Sequence, residues 1–309
     1  MKKMLLSLFA LLSTTAQDAG GEGATKQTYF TWDDFAVGYS AELVAADDVY
    51  NTMIKNGLKD NLLAKFDFEF ISDSKEKLAQ LQTFVEQHYP YKITTIKKRS
   101  RGLWVLEGET DEIPVTAANL LFWAMDMYKR GHKFDARLDG YGALMDPKDP
   151  RFPDFSSDKE DHYFNKGVDS YNQGNLSGAI INWSNVLVIN PKDSNALYSR
   201  AIVKDELYAW KAALKDYNKA IEITPDFVSA IINRGSLKDE HDDHQGAIAD
   251  YNTVLSIKNV ELDSQQQAYF NRGNAKLNLK DKTGACEDWK KAQALGADYA
   301  TERLTEYCQ

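Results

Sequence analysis

Two cysteines, seven prolines and no apolar run of membrane length bound what this 309-residue chain can be. Cys286 and Cys308 belong to no CxxC or Cys/His pattern, so zinc is not a structural staple here. Their spacing puts one on the second helix of a repeat and the other at the end of a following helix. In an oxidising compartment they can pair, and closing that loop would contribute about 3 kcal/mol on the chain-entropy estimate. Otherwise they are two small buried hydrophobes. Basic charge is also scarce. There are 37 Lys+Arg against 46 Asp+Glu, a net charge of −9, so a surface that tracks a phosphate backbone is excluded. The one dense basic run, Lys97-Lys98-Arg99-Ser100-Arg101, falls between two strand-like segments and reads as a solvated hairpin tip.

Catalytic patterns are missing too. The chain has no Gly-x-Ser-x-Gly, no glycine loop shaped for phosphate and no paired carboxylates apart from ordinary acidic surface. Five histidines are scattered, and the pair His241 and His244, in Glu240-His241-Asp242-Asp243-His244, falls in a polar turn. A metal site would also need fixed partners around its ligands. Neither an enzyme nor a cofactor is expected, and binding is what remains.

Residues 160–299 repeat every 34 residues, with four residues inserted before the fourth row. The rows begin at Glu160, Ser194, Val228 and Gln266. Position 8 is small (Gly167, Ala201, Gly235, Gly273), and position 20 is alanine (Ala179, Ala213, Ala247, Ala285). Position 24 is aromatic (Trp183, Tyr217, Tyr251, Trp289). Each row holds two apolar-periodic segments of helical length around a polar break. Pro191 and Pro225 stop the second helix in the first two rows. Such hairpins bury their apolar faces only by stacking. Position 7 is Arg200, Arg234 and Arg272, and position 23 is Asp216, Asp250 and Asp288. These predict ion pairs between the two helices of a repeat, worth less than about 1 kcal/mol each if exposed.

The pattern resembles the tetratricopeptide repeat, whose period is the same. That family lines a concave groove with positions 2, 5, 6, 9, 12 and 13 of each first helix. The resemblance therefore implies a groove of Phe164, Asn165, Val168 and Tyr171, then Asn195, Tyr198, Ile202, Asp205 and Glu206. Ile232, Asn233, Asp239 and Glu240 follow from the third row, and Phe270, Asn271 and Asn274 from the fourth. Asn165, Asn233 and Asn271 can hydrogen-bond an extended backbone. The aromatics and acids beside them favour apolar and basic side chains of a protein or peptide partner. The lysine-and-asparagine set with which some members clamp a C-terminal carboxylate is absent. Residues 300–309 read as a capping helix.

The N-terminal third is different. Residues 1–16 have the form of a cleavable secretory signal, with Lys2 and Lys3, an apolar core, and Thr14 and Ala16 before the cut. Residues 17–28 are Gly- and Ala-rich and expected to be flexible. A domain is expected over 29–145. Helix 45–63 precedes a strand in which Phe66, Phe68 and Phe70 share one face. Helix 75–88, capped by Ser72 to Ser74, places Leu78, Leu81 and Val85 on one side. A hairpin follows over 91–96 and 103–106. Pro114 opens a helix continuing through 117–128, and 133–138 is the last strand. The order predicts a ferredoxin-like α+β domain ahead of an all-α tetratricopeptide solenoid. That order, with Asp139-Gly140-Tyr141 as an Asp-Gly-aromatic turn, is similar to the ribonuclease E inhibitor family RraB. The resemblance implies fold first, and a nuclease-regulating role only for a cytoplasmic protein. Residues 146–159, with Pro147, Pro150 and Pro153, form a semi-rigid linker and domain boundary. The leading reading is an exported, non-enzymatic binding protein.

Overall fold

The computed structural model describes residues 27–144 and 150–308. The signal at 1–16, most of the segment 17–28 and the first part of the linker lie outside the described residues. The chain divides into two compact units that meet in sequence between Pro191 and Lys192. None of the described helices is long and apolar enough to cross a membrane.

In the first unit, helix α1 (Trp32–Lys55) is followed by β1 (Leu62–Ser72), α2 (Lys75–His88), β2 (Lys92–Lys98) and β3 (Trp104–Glu109). Then come β4 (Ile113–Val115), α3 (Ala117–Lys133), β5 (Arg137–Leu144), α4 (Glu160–Asn172) and α5 (Leu176–Ile189). The sheet is antiparallel. β1 pairs with β3 and β4 along one edge and with β5 along the other, and β2 pairs with β3. Strict alternation in β1 puts Phe66, Phe68 and Phe70 under α2 and α3 with no more than 1% exposure. Lys65 and Asp67 stay exposed on the other side. Each phenylalanine buried there contributes about 2–3 kcal/mol. The Phe66 ring lies 5.6 Å from Trp123 of α3, and Leu78, Leu81 and Val85 of α2 are fully buried as expected.

Four local expectations are corrected. The first helix spans Trp32–Lys55 rather than 45–63, because Thr31 and Asp34 form a reciprocal capping box at its start and Gly57, at φ 94, ends it. Leu62 and Leu63 belong to β1. Pro114 does not open a helix. It lies in β4 opposite Leu63, and the Thr116 side chain caps α3 instead. Residue 133 ends α3, and the last strand starts at Arg137, so Asp139-Gly140-Tyr141 is strand rather than turn. Residues 27–28 are not loose. Buried Asp135, itself in the left-handed region at φ 51, accepts the N–H groups of Thr28, Tyr29 and Phe30 at 2.5–2.9 Å.

The described part of the proline-rich segment is fixed as well, since the Leu63 N–H donates to the Arg151 carbonyl at 2.8 Å. Repeat one, α4 and α5, is joined to the α+β layer. Arg130 donates to the Gly174 carbonyl at 2.8 Å, and the His88 ring meets the Gln173 carbonyl at 2.5 Å. The compact unit therefore runs through repeat one and ends at Pro191.

The second unit holds α6 (Ser194–Glu206), α7 (Trp210–Ile223), α8 (Val228–Glu240), α9 (His244–Ser256), α10 (Leu262–Asn278), α11 (Lys282–Ala294) and α12 (Ala300–Tyr307). The four inserted residues do not form a loop. They add one turn to the start of α10, which still ends at position 13 of its row. Position 15 is left-handed in every row: Gly174, Tyr208, Asp242 and Lys280, at φ 77, 60, 65 and 66. Position 16 caps the second helix through Asn175, Asp243 and Asp281. Wherever that cap exists, position 19 is glycine, since a methyl at Gly178, Gly246 or Gly284 would stand within 2.6 Å of the cap side chain. Repeat two has neither the cap nor the glycine, with Ala209 and Ala212 in their places.

The ion pairs form as expected but are not exposed. Arg200 clamps Asp216 at 2.7 and 2.8 Å, Arg234 clamps Asp250 at 2.9 and 2.6 Å, and Arg272 clamps Asp288 at 2.8 and 2.7 Å. The three aspartates are at most 4% exposed. Position 11 adds a lysine to each, as Lys204, Lys238 and Lys276 reach the same carboxylates at 2.7–2.8 Å. Burial pushes Asp216 and Asp288 up, but the arginine and lysine beside each outweigh it and hold both carboxyls down. Breaking such a buried group costs far more than a surface pair.

Candidate functional site

Consecutive first helices of the second unit stand side by side. Asn233 of α8 donates to the Tyr198 hydroxyl of α6 at 3.3 Å. Asn271 of α10 donates to Ser236 of α8 at 3.4 Å, and Asn278 of α10 donates to Asp239 of α8 at 3.3 Å. The exposed and half-buried side chains of α6, α8 and α10 thus form one continuous face.

On that face Tyr198, Asn233, Asp205, Asp239 and Glu240 come together. The Tyr198 ring is braced by Phe227 at 4.9 Å and Tyr217 at 6.1 Å. Burial, and then Glu206, pushes the Asp205 carboxyl up to about 6. Burial of one flank, then Asp205 and Asp239, pushes Glu240 up as well. Among the described residues no cation pairs with Asp205 or Glu240, whereas Asp239 is met by His244 at 2.6 Å. The lysines and arginines of the first helices, Arg200, Lys204, Arg234, Lys238, Arg272 and Lys276, are turned instead to the buried aspartates.

Other expected groove residues have different employment. The Asn274 side-chain oxygen accepts the Trp289 indole N–H at 3.2 Å, so it supports its own repeat. Ile232 is 5% exposed and belongs to the core of repeat three. Phe270 keeps a half-buried ring, packed edge-on against Tyr299 at 4.8 Å. Asn195 is exposed in the first turn of α6. Phe164, Asn165 and Tyr171 belong to the first unit, where Asn165 and Tyr171 are exposed and the Tyr171 ring lies 6.3 Å from Trp183. Sequence reading missed Ser236 and Asn278, and it left His244 in a polar turn. Asn278 was within reach, since it stands at position 13, where Glu206 and Glu240 stand in the rows before.

Among the described residues no group of three or more His, Cys, Asp or Glu side chains is placed to hold a metal ion. The histidine pair does lie in the turn of repeat three: His241 stacks on Trp210 at 4.3 Å, and His244 opens α9.

No protein-family model and no curated protein matches the chain. Solved structures resemble part of the chain. The pilF protein of Pseudomonas aeruginosa aligns with a TM-score of 0.43 at 19% identity, over 49% of this chain and 71% of its own. MamA of Desulfovibrio magneticus aligns with a TM-score of 0.42 at 17% identity, over 49% and 94%. The first tetratricopeptide domain of Spaghetti (RPAP3), bound to an HSP90 peptide, aligns with a TM-score of 0.37 at 21% identity, over 40% and 96%. With TM-scores below 0.5, these likenesses carry nothing further about this chain.

Proposed function

We propose that the chain is a non-enzymatic, exported binding protein whose tetratricopeptide-type repeats hold a protein or peptide segment against α6, α8 and α10. The observation that carries this is the Asp205–Glu240 pair. Two carboxyls on consecutive first helices face the same space, with no cation from the described residues, beside the braced ring of Tyr198 and the amide of Asn233. Such a face favours a segment with a basic side chain next to an apolar one, the charge guiding approach and the ring holding it. The bond between Cys286 and Cys308 supports export, since disulfides persist where thiols are not kept reduced. The strand order β2-β3-β1-β5, with α2 and α3 as its crossovers, supports reading the α+β layer as ferredoxin-like. A nuclease-regulating role of the RraB kind would need a reducing cytoplasm, which the same bond argues against.

The test is affinity capture from the native cell on immobilised full-length chain, followed by titration calorimetry with the captured partner. Asp205→Asn with Glu240→Gln should weaken binding and flatten its salt dependence, and Tyr198→Ala should weaken it at every salt concentration. Wild-type affinity and salt response in both variants would rule this face out.

A further inference from the structure

Helix α12 is a weak helix by its own sequence. It spans 8 residues, its N-cap Tyr299 makes no side-chain cap, and two of its residues, Thr301 and Thr305, are β-branched. Isolated helices shorter than about 12 residues are marginal in water. What holds α12 is contact with repeat four. Ala300 is fully buried, and Leu304 and Tyr307 follow at helical spacing against Ala285, Trp289 and Ala292. The Tyr307 ring lies 5.8 Å from Trp289. Polar ties to α11 are slight, such as the exposed bond from Gln293 to Thr301 at 3.0 Å. At the far end Cys308 is bonded to Cys286 of α11, with 5.7 Å between their α-carbons. Both cysteines are only half-buried, so a thiol can reach the bond.

We propose that the Cys286–Cys308 bond is a redox-operated latch on α12, whose opening lets the closing helix leave repeat four. A dithiol reductant supplies two electrons and two protons. The sulfur–sulfur bond breaks, Cys286 and Cys308 become thiols, and the reductant leaves as its own disulfide. The three apolar anchors of α12 are then left to hold a helix too short to stand alone. Its departure uncovers Trp289 and removes Tyr299 from the ring of Phe270. Phe270 lies at the end of the proposed binding face, so the latch would also govern that end. This last consequence rests on the binding-face reading, while release of α12 does not.

Hydrogen exchange measured by mass spectrometry on the full-length chain tests the latch, with the oxidised protein compared with protein held in dithiothreitol. Reduction should speed exchange across 300–307 by about tenfold or more and leave α8 and α9 unchanged. Cys308→Ser should exchange at the fast rate without reductant and show no further response to it. Equal rates in the oxidised and reduced chains would overturn the proposal. So would a uniform acceleration across 192–308, which would make the bond a stabiliser of the whole unit. Failure to recover a Cys286–Cys308 linked peptide from oxidised protein would overturn it too.

Discussion

Asp126, buried in the middle of α3, accepts the backbone N–H of Ser177 at 2.8 Å. Ser177 lies in the first turn of α5, so a side chain of the α+β layer satisfies a free N–H at the start of a repeat helix. The same carboxylate accepts from the Tyr89 hydroxyl at 3.0 Å and from Arg130 at 3.1 Å. The negative charge stands at the positive end of the α5 dipole.

Asp126→Ala should therefore destabilise the first unit by about 3–5 kcal/mol, because it removes the counter-charge of Arg130 and the acceptor of the Ser177 N–H and the Tyr89 hydroxyl in a dry place. Urea unfolding followed by exchange at 160–189 reads this. A companion test is truncation. A chain starting at 192 should keep its repeats folded, whereas one starting at 160 should show poor protection in α4 and α5. Full protection of α4 and α5 without the α+β layer would show that repeat one stands alone.

Position 15 offers a gain in stability. Lys280 is exposed and left-handed at φ 66, where a side chain costs about 1 kcal/mol relative to glycine. Lys280→Gly should raise the thermal midpoint, and Gly174→Ala at the equivalent place in repeat one should lower stability by about as much. A neutral or destabilising Lys280→Gly would mean that the lysine side chain holds something the backbone argument omits.

The two tryptophans at position 24 are unequal. The Trp289 N–H donates to the Asn274 side chain and to the Phe270 carbonyl at 3.2 Å each, while the buried Trp183 N–H has no acceptor among the described residues. Repeat one has Val168 where repeat four has Asn274. Asn274→Val should cost about 0.5–1.5 kcal/mol, since the indole N–H keeps only the Phe270 carbonyl, and Val168→Asn should gain up to about 1 kcal/mol. Denaturant midpoints of the two variants, measured with the slopes unchanged, decide it.

Protonation of Asp205 links the proposed binding face to pH. Its carboxyl, pushed up to about 6 against 3.8 when unperturbed, takes a proton in the folded chain before the unfolded chain does. Stability therefore falls as pH rises through the window from about 4 to about 6. Asp205→Asn should remove that slope and stabilise the chain near pH 7 by about 1–2 kcal/mol, with no gain below pH 4. Binding of a basic segment should run the other way, weakening as pH falls through about 6. Parallel pH titrations of the melting midpoint for wild type and variant check the sign.

The repeats were legible because their constraints are local and recur. A small residue at 8, alanine at 20 and an aromatic at 24 can be counted in rows, and the pairing of 7 with 23 follows from the same count. Position 11 escaped because lysine on a helix reads as a solvated side chain until the buried aspartate is known. The start of α1 was missed because its Asp-rich, Ala-rich turns lack a clean apolar stripe, although Thr31 and Asp34 carry the capping signal. The attachment of repeat one was not legible at all. Asp126 and Ser177 stand 51 residues apart, and neither looks unusual where it stands. On the proposed binding face, row position named the acids, Tyr198 and Asn274 alike. That Asn274 also serves Trp289 was not legible, because the bond depends on which aromatic fills position 24.

The extra turn at the start of α10 shows what size of change the array absorbs. Four residues advance a helix by about 400°, within about 40° of a full revolution. Residues downstream of the insertion thus keep the side on which they stood, and Gly273 still meets Trp289 as Gly235 meets Tyr251. An insertion of two residues would swing the same positions to the opposite side and turn alanines and glycines outward. Growth of this protein at helix starts is therefore quantised: length can be added there by the turn, and not by the residue.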